Sequence, residues 1–362
     1  MAPMGEELAA VDGTVSPEQL AYVEARAAGG AALVTLGSVA VAWPLGTSNE
    51  RQNGISGPEH EAGLRALADA AHRHGAKLGL QLSHMGKVAR NDIVAGRPMW
   101  VPSLPGRGRF DPLIAMLTDD EMAKSLAPMQ APGARVEFHE MTHDDITTVI
   151  EWFASAVERA RACGVDAIEF HAGHGYLLDE FLSPSSNKRT DAYGGNFENR
   201  IRFPMQIFKA VRAAFPGVLG MRLSATDWVD NGWTPEETAD FAARLKQEGA
   251  NFVHISTAGV AAQQKIPVGP EFQVPFAKLV KDKTGLPTIA VGLITDPHRA
   301  DDIIKRGDAD LVGLARSFLY KPRWMWEAAA ALQGTVEASP QYWRSLPREA
   351  QTIFGPVRVG QR

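Results

Sequence analysis

The 362-residue sequence contains a single cysteine, Cys163. One cysteine excludes an intramolecular disulfide and makes a cysteine-rich metal or iron–sulfur site implausible, so we predict no metal centre. The scarcity of cysteine also favours reducing, cytoplasmic surroundings. No uninterrupted apolar run is long enough to span a bilayer, and the N-terminus lacks the basic-then-apolar pattern of a signal peptide. We therefore expect no association with a membrane.

The sequence also lacks an excess of basic charge. Its 37 Lys and Arg residues face 42 Asp and Glu residues, which leaves a net charge of -5. Nucleic acid is therefore not expected as a partner, and a small molecule is the expected ligand. The composition, 45% hydrophobic and 22% charged, is ordinary for a globular protein with a sizeable core.

Short apolar runs alternate with helix-start signals along most of the chain. The predicted strands are 31–38, 77–82, 166–171, 219–224, 252–257, 287–292 and 310–315. Parallel strands that are covered on both faces are typically apolar in this way. If residues 1–5 end a truncated first strand, eight strand–helix units result. The sequence therefore predicts one α/β domain over 1–362, a TIM (β/α)8 barrel, whose true N-terminus is expected to precede Met1.

The alternation lapses after the third strand, between about residues 86 and 140. A segment this long without clear periodicity is usually a functional loop or a small excursion. We consider two hypotheses for 96–137: a lid over the open face of the site, or a solvated insertion. As a lid, it would make Arg97, Arg107 and Arg109 available to an anionic group. A C-terminal tail, 335–362, follows the last unit.

Polar residues and glycines lie at the carboxyl ends of the predicted strands, where a TIM barrel carries its chemistry. They are Gln81, His84, His171, His174, Arg222, Gly292, Ala315 and Arg316. The loops after strands 7 and 8 usually bind phosphate in this fold. The pattern predicts a phosphorylated cofactor that lies across the mouth of the barrel, with the histidine pair above its reactive part.

The most informative stretch is His-Ala-Gly-His-Gly-Tyr at 171–176. Two imidazoles among glycines, just past a buried strand, can point their N–H groups at one carbonyl or nitro oxygen. A phenol follows closely enough to move a proton. We therefore predict His171, His174 and Tyr176 as the catalytic residues.

Several motifs, in chain order, closely resemble the Old Yellow Enzyme family of FMN-dependent ene-reductases. They are Ala-Pro-Met at 2–4, Gln-Leu-Ser-His at 81–84, the stretch 171–203, Arg-Leu-Ser at 222–224, Gly-Leu-Ile at 292–294 and the run 310–316. The resemblance covers nearly the whole chain apart from 105–137 and the tail. It implies a ping-pong reaction: NAD(P)H reduces FMN, and flavin N5 then delivers hydride to the β-carbon of an activated alkene.

The resemblance also implies the residues that hold the flavin. Those along the ring would be Ala2, Pro3, Met4, Gly5 and Gly37. Gln81 would hydrogen-bond the pyrimidine edge, and Arg222 would stabilise the anionic reduced flavin. The phosphate would be held by Gly292, Ala315 and Arg316.

For the substrate, the resemblance implies that His171 and His174 bind its carbonyl oxygen and that Tyr176 gives a proton to the α-carbon. Two positions depart from one branch of the family. Gly5 stands where that branch has a cysteine that tunes the flavin potential, and Glu7 stands where it has a tyrosine. Flavin potential and substrate preference are therefore not implied.

The run Pro-Gln-Tyr-Trp-Arg at 340–344 resembles the C-terminal part of dimeric bacterial members, in which an arginine reaches the neighbouring active site. It implies a homodimer or homotetramer with Arg344 in that role. Two other functions stay open. One is an oxidative demethylase or dehydrogenase on the same flavin barrel. The other is a flavin-free barrel that binds a phosphorylated metabolite, which the intact Gln81, Arg222 and histidine pair disfavour.

Overall fold

A computed structural model describes residues 1–105, 118–260 and 263–357. The strands in these ranges are β1 Leu33–Ala40, β2 Lys77–Ser83, β3 Met99–Val101, β4 Phe138–Glu140, β5 Ala167–Ala172, β6 Val218–Ser224, β7 Phe252–Ser256, β8 Thr288–Ala290 and β9 Leu311–Val312. Seven of them form one sheet in the order β1-β2-β5-β6-β7-β8-β9, and every pairing in it is parallel. This curled sheet, which helices follow strand by strand, confirms the predicted barrel class.

Residues 1–5 close the gap between the two edges of this sheet. The backbone N–H of Ala2 donates to the carbonyl of Leu314, beside β9, at 3.0 Å, and the N–H of Thr35 in β1 donates to the carbonyl of Met1 at 3.2 Å. Gly5 forms an isolated parallel bridge with Gly37. These bonds on both sides place residues 1–5 in the position of the first barrel strand.

The helices are α1 Pro17–Ala28, α2 Glu61–His72, α3 Arg90–Val94, α4 Asp119–Leu126, α5 His143–Ala162, α6 Leu177–Leu182, α7 Phe197–Arg200, α8 Arg202–Ala214, α9 Pro235–Gln247, α10 Val274–Thr284, α11 Pro297–Lys305, α12 Arg316–Tyr320 and α13 Trp324–Ala331. Ser16 caps α1 by accepting from the N–H of Gln19 at 3.1 Å. The short helices α6 and α12 were not predicted, because fewer than two turns leave no readable periodicity. No helix in the described ranges has the length and apolar character to cross a bilayer.

The alternation of side chains along β5 decides what faces the barrel interior. Phe170 packs edge-to-face against Phe153 of α5 and Phe208 of α8, so its side of the strand faces the helices. Glu169 and His171 therefore point into the barrel. His171 pairs in register with Arg222 of β6, and Arg222 pairs with His254 of β7. The strands thus bring polar side chains to one level inside the barrel.

The excursion after β2 has structure of its own, because β3 and β4 pair in parallel as a separate two-stranded sheet. Arg97 at its start donates through Nε to Asp92 Oδ1 at 2.8 Å and through Nη2 to the carbonyl of Pro44 at 3.1 Å. This arginine is therefore held in a structural ion pair. Arg107 and Arg109 lie outside the described residues, and the lid hypothesis stays a prediction.

The described part of the tail packs against α13 of its own chain. The N–H of Val336 donates to the carbonyl of Ile353 at 2.7 Å, and Ile353 is buried together with Phe354, whose ring lies 4.9 Å from that of Trp326. Arg344 lies in a 3-10 helix, Pro340–Ser345, and is exposed. The last five tail residues, 358–362, lie outside the described ranges.

Candidate active site

A buried carboxylate links three strands inside the barrel. Glu169 Oε1 accepts from Gln81 Nε2 at 2.6 Å, and Glu169 Oε2 lies 2.8 Å from Nδ1 of His254. Burial by itself raises the pKa of Glu169, but the charges of His254 and Arg222 and these hydrogen bonds outweigh it and leave the pKa below its usual value. Glu169 is therefore ionised and balances the Arg222 cation.

Sequence reasoning missed Glu169 and His254 as site residues. Each is a polar residue inside an otherwise apolar strand, and Glu169 lies two positions before His171 on the same face. That alternation was a readable signal. The contact between Glu169 and His254 could not be predicted from the sequence, because the two residues are 85 positions apart.

Arg222 is a buried cation with part of its hydrogen-bonding capacity unused. Its side chain reaches across the barrel to the opening segment, where Nη1 lies 3.4 Å from the carbonyl oxygen of Pro3. The residue is only 9% exposed, and its Nε has no partner in the described part of the chain. An orphaned buried N–H is costly unless a ligand or water satisfies it. This guanidinium is therefore placed to bind a group that the chain does not supply.

Gly37 and Pro3 form a tight wall beside Arg222. A Cβ on Gly37 would clash with the Pro3 side chain and would lie 3.1 Å from Gln81 Oε1. Only glycine allows this close approach of the two backbones. Because the Gln81 amide nitrogen is used by Glu169, its Oε1 faces the wall as an acceptor. Ala2, Met4 and Gly5 lie on the same segment as Pro3.

The predicted phosphate residues lie on the loops that follow β8 and β9. Gly292 has φ 122°, a conformation that side chains rarely adopt. Ser317 Oγ, in the first turn of α12, donates to the carbonyl of Ile294 at 3.3 Å, which joins α12 to the loop after β8. Ala315 precedes α12, and Arg316 begins it with an exposed side chain. The structure thus brings Gly292, Ala315 and Arg316 to one edge of the barrel.

His171 and His174 lie in direct contact. Their rings are perpendicular, with centroids 5.0 Å apart, and His171 Nε2 lies 3.3 Å from His174 Nδ1. Burial is the first cause that lowers the pKa of both histidines well below the usual value, and the Arg222 charge lowers it further. Both rings are therefore neutral near pH 7, and each has one N–H to donate.

Neighbouring hydrogen bonds indicate which nitrogen carries each hydrogen. His171 Nδ1 accepts from the N–H of Gly173 at 3.3 Å, so its Nε2 donates to His174. His174 Nε2 then donates to Ser256 Oγ at 2.7 Å. The two rings form a donor chain here, whereas the spacing alone suggested two donors that converge on one point. A substrate oxygen that accepts from His171 Nε2 takes the place of His174 Nδ1.

The turn that carries His174 and Tyr176 is tightly held. His174 has φ 60°, which is uncommon for a residue other than glycine, and its N–H donates to Ser224 Oγ at 2.9 Å. Gly175 donates its N–H to Asp179 Oδ2 at 2.7 Å. The Tyr176 ring packs edge-on against His171, with centroids 4.5 Å apart. The three predicted catalytic side chains therefore lie together.

Comparisons with known proteins agree with this geometry. Residues 1–334 match the model of the NADH:flavin oxidoreductase / NADH oxidase family. An NADPH dehydrogenase of Geobacillus sp. (strain WCH70) is 38% identical over 333 residues, which cover 92% of this chain and 89% of that protein. An NADPH dehydrogenase of Listeria innocua serovar 6a is 36% identical over 334 residues, which cover 92% and 90%.

Solved structures share the fold. Morphinone reductase in complex with tetrahydroNAD superposes with a TM-score of 0.73 at 24% identity, over 94% of this chain and 88% of that one. A 2-naphthoyl-CoA reductase complex gives a TM-score of 0.78 at 23% identity, over 92% of this chain and 49% of that one. At these sequence identities the similarity shows that the proteins share the barrel fold.

Proposed function

The chain belongs to the NADH:flavin oxidoreductase / NADH oxidase family, the family of Old Yellow Enzyme, and on this premise we propose that it is an FMN-dependent ene-reductase. Its substrates are α,β-unsaturated carbonyl or nitro compounds, whose activated C=C bond it reduces with NAD(P)H. One observation carries the proposal. The partly unpaired, buried Arg222 faces the opening segment in the same barrel mouth as the cluster of His171, His174 and Tyr176.

The residues present fit a flavin mononucleotide. Arg222 offers a buried cation with an orphaned N–H to an electron-rich ring edge, and Gln81 Oε1 is an acceptor for a ring N–H. Segment 2–5 and Gly37 would line the ring, and Gly292, Ala315 and Arg316 would hold the phosphate. When bound, FMN supplies the hydride, from N5, after its reduction by NAD(P)H. Arg222 favours the reduced, anionic form because its charge does not titrate near neutral pH.

The histidines bind and orient the substrate. His171 Nε2–H donates to the carbonyl or nitro oxygen, and His174, positioned by Ser224 and Ser256, completes the binding site. Each donor aimed at the developing negative charge contributes roughly 2.7–4 kcal/mol in comparable sites. Because both rings are neutral, neither transfers the proton: His171 donates a hydrogen bond to the substrate, and the N–H of His174 is engaged by Ser256 Oγ. Tyr176 donates that proton to the α-carbon.

We extend the proposal to assembly as a homodimer or homotetramer in which Arg344 reaches the active site of a neighbouring subunit. Its exposure on the 3-10 helix of the tail supports this role. Arg344→Ala should then lower the turnover number while the flavin content of each subunit stays the same. Unchanged activity would remove Arg344 from the mechanism.

The test of the main proposal is the visible absorption spectrum of the purified protein, followed by anaerobic addition of NADPH or NADH. We expect a flavin spectrum that bleaches and then returns when cyclohexenone or maleimide is added. A flavin that only an amine or a saturated ketone reduces would instead indicate an oxidative demethylase or dehydrogenase. Colourless protein after reconstitution with FMN would leave only a barrel that binds a phosphorylated metabolite.

A further inference from the structure

Gln273 lies at the start of α10, between the end of β7 and the loop that follows β8. It is the N-cap residue of α10 and is buried, with 8% of its surface exposed. Its Oε1 accepts from Ser256 Oγ at 3.0 Å and from Thr257 Oγ1 at 3.1 Å. On the other side, a Cβ on Gly292 would lie 3.3 Å from Gln273 Nε2. The amide therefore turns its oxygen toward the two hydroxyl groups and its nitrogen toward Gly292.

Ser256 connects this amide to the histidine pair. Its Oγ lies 2.7 Å from His174 Nε2, and His174 Nδ1 lies 3.3 Å from His171 Nε2. His171 Nδ1 in turn accepts from the backbone N–H of Gly173 at 3.3 Å. Four hydrogen bonds thus run in series from Gly173 to Gln273, through both histidines and Ser256.

The direction of this series is the same when it is followed from either end. A backbone N–H can only donate, so His171 Nδ1 accepts, and the neutral ring carries its hydrogen on Nε2. His171 then donates to His174 Nδ1, and His174 Nε2 donates to Ser256 Oγ. The hydroxyl hydrogen of Ser256 is left to donate, and the acceptor that it meets is the amide oxygen of Gln273. The orientation of this amide therefore agrees with the direction that the backbone N–H sets.

Substrate binding disconnects one end of the series from His174. When a carbonyl oxygen replaces His174 Nδ1 as the acceptor for His171, the backbone N–H of Gly173 no longer determines the state of His174. The position of the His174 hydrogen then depends on Ser256, because a hydroxyl group can either donate to His174 Nε2 or accept from it. Ser256 accepts as long as its own hydrogen is held by Gln273 Oε1.

We propose that Gln273 is a positioning residue, which acts through Ser256 to keep the hydrogen of His174 on Nε2 while substrate is bound. This inference rests on the proposed function, in which the histidine pair receives the substrate oxygen. The pair then presents one donor, His171 Nε2–H, and one acceptor, His174 Nδ1. Without the amide oxygen, the buried Ser256 hydrogen loses its acceptor, which is costly. Ser256 then donates to His174 Nε2, the His174 hydrogen moves to Nδ1, and the substrate oxygen accepts from both histidines.

The experiment uses the FMN-loaded full chain in its oxidised form at neutral pH, with bound cyclohexenone, which is not reduced in the absence of NAD(P)H. Long-range ¹H–¹⁵N NMR spectra of histidine-labelled protein distinguish the Nδ1–H from the Nε2–H form of each neutral ring, and His174→Gln assigns the His174 signals. We expect the Nε2–H form of His174 in the wild type and the Nδ1–H form in Gln273→Met. Gln273→Glu, whose carboxyl group still offers Ser256 an oxygen, should keep the Nε2–H form. Thr257→Val is the matched control, because it removes the other hydroxyl from Gln273 Oε1 and leaves the Ser256 bond in place.

The affinity for cyclohexenone is a second readout, and its sign separates positioning from a structural defect. A variant that only loosened the site would bind the ketone less tightly than the wild type. In Gln273→Met the second N–H should instead lower the dissociation constant by about 2- to 10-fold, the effect of one neutral hydrogen bond. Thr257→Val should bind the ketone as the wild type does. Titration followed by the visible absorption of the flavin measures these constants.

Failure of the Gln273 proposal is distinguishable from failure of the proposed function. If cyclohexenone binds, an Nδ1–H form of His174 in the wild type, or an Nε2–H form in Gln273→Met, would overturn the role of Gln273 alone. Unchanged or weaker binding of the ketone by Gln273→Met would overturn it as well. Gln273→Leu repeats the comparison should Gln273→Met not fold. If cyclohexenone changes neither the flavin nor the histidine spectrum of the wild type, both proposals fail together.

Discussion

Asp179 is the side chain on which the turn with His174 and Tyr176 depends most directly. Its Oδ2 accepts from the N–H of Gly175 at 2.7 Å, and the residue is fully buried. Burial, and then the nearby charge of Asp227, raise the pKa of Asp179 well above its usual value, against the opposing effect of the Gly175 bond. We therefore expect the carboxyl group to keep its proton to a higher pH in the folded protein than in the unfolded chain.

Two substitutions separate the hydrogen bond from the titration. Asp179→Asn keeps an acceptor oxygen for Gly175 and cannot ionise. Asp179→Leu has a similar size but leaves the buried N–H of Gly175 unpaired, which costs about 1–3 kcal/mol of unfolding free energy. A displacement of Tyr176 of about 1 Å would further lower the turnover number by roughly 10²-fold. Asp179→Asn should therefore keep most of the activity that Asp179→Leu loses.

The raised pKa also predicts the sign of a pH effect. Between the unfolded and the folded pKa the folded protein holds a proton that the unfolded chain has released, so stability falls as pH rises. The slope for one group is at most about 1.4 kcal/mol per pH unit. Asp179→Asn removes this titration. From pH 5 to 7 the stability of the wild type relative to Asp179→Asn should therefore fall by up to about 2.7 kcal/mol.

The assay is denaturant unfolding of the FMN-loaded protein at pH 5, 6 and 7, together with the turnover number of each variant. Asp282→Asn is the control, because Asp282 is a surface partner of Lys278. Its effect on stability should not follow this trend. A difference between wild type and Asp179→Asn that is constant with pH would show that Asp179 does not titrate in this window. Full activity of Asp179→Leu would show that the turn does not need the bond.

Three further outcomes test the site. Gly37→Ala should lower the free energy of unfolding by about 1–3 kcal/mol, because the added Cβ clashes with Pro3. In Gly5→Ala the added Cβ meets no other atom, so the free energy of unfolding should change by less than about 0.5 kcal/mol. Thermal unfolding of the two variants compares these effects. Arg222→Met removes charge-assisted hydrogen bonds of about 1.5–3 kcal/mol each, so fluorescence titration should show FMN affinity reduced by roughly 10-fold or more. Glu169→Gln should cost about 3–5 kcal/mol in denaturant unfolding at pH 7. The difference in unfolding free energy between wild type and Glu169→Gln should shrink as pH falls below about 4.5, because protonation of Glu169 then removes the negative charge in the wild type as well. A difference that stays constant with pH would contradict this explanation.

The amino-acid sequence by itself determined the parts of this protein that depend on neighbours along the chain. Apolar runs marked the strands, and cap residues such as Ser16 marked helix starts, because both signals lie within one element. The turn at 171–176 is local in the same sense, so its two histidines and Tyr176 were expected to lie together. The opening segment was expected to end a truncated first strand; it bonds to both sheet edges but forms only an isolated bridge, at Gly5, and no strand.

Only the tertiary structure decided which distant groups share a buried space. Glu169 meets Gln81 across 88 residues, and Arg222 reaches the carbonyl of Pro3 across 219. Barrel closure and side-chain packing create these neighbours, and no periodicity within one element encodes them. Burial and the Arg222 charge then decide protonation: His171 is held neutral while Glu169 stays ionised, because the same cation disfavours a charged imidazole and favours a carboxylate. The chemistry of the site depends on these charge states, which follow from desolvation and distance once the chain has folded.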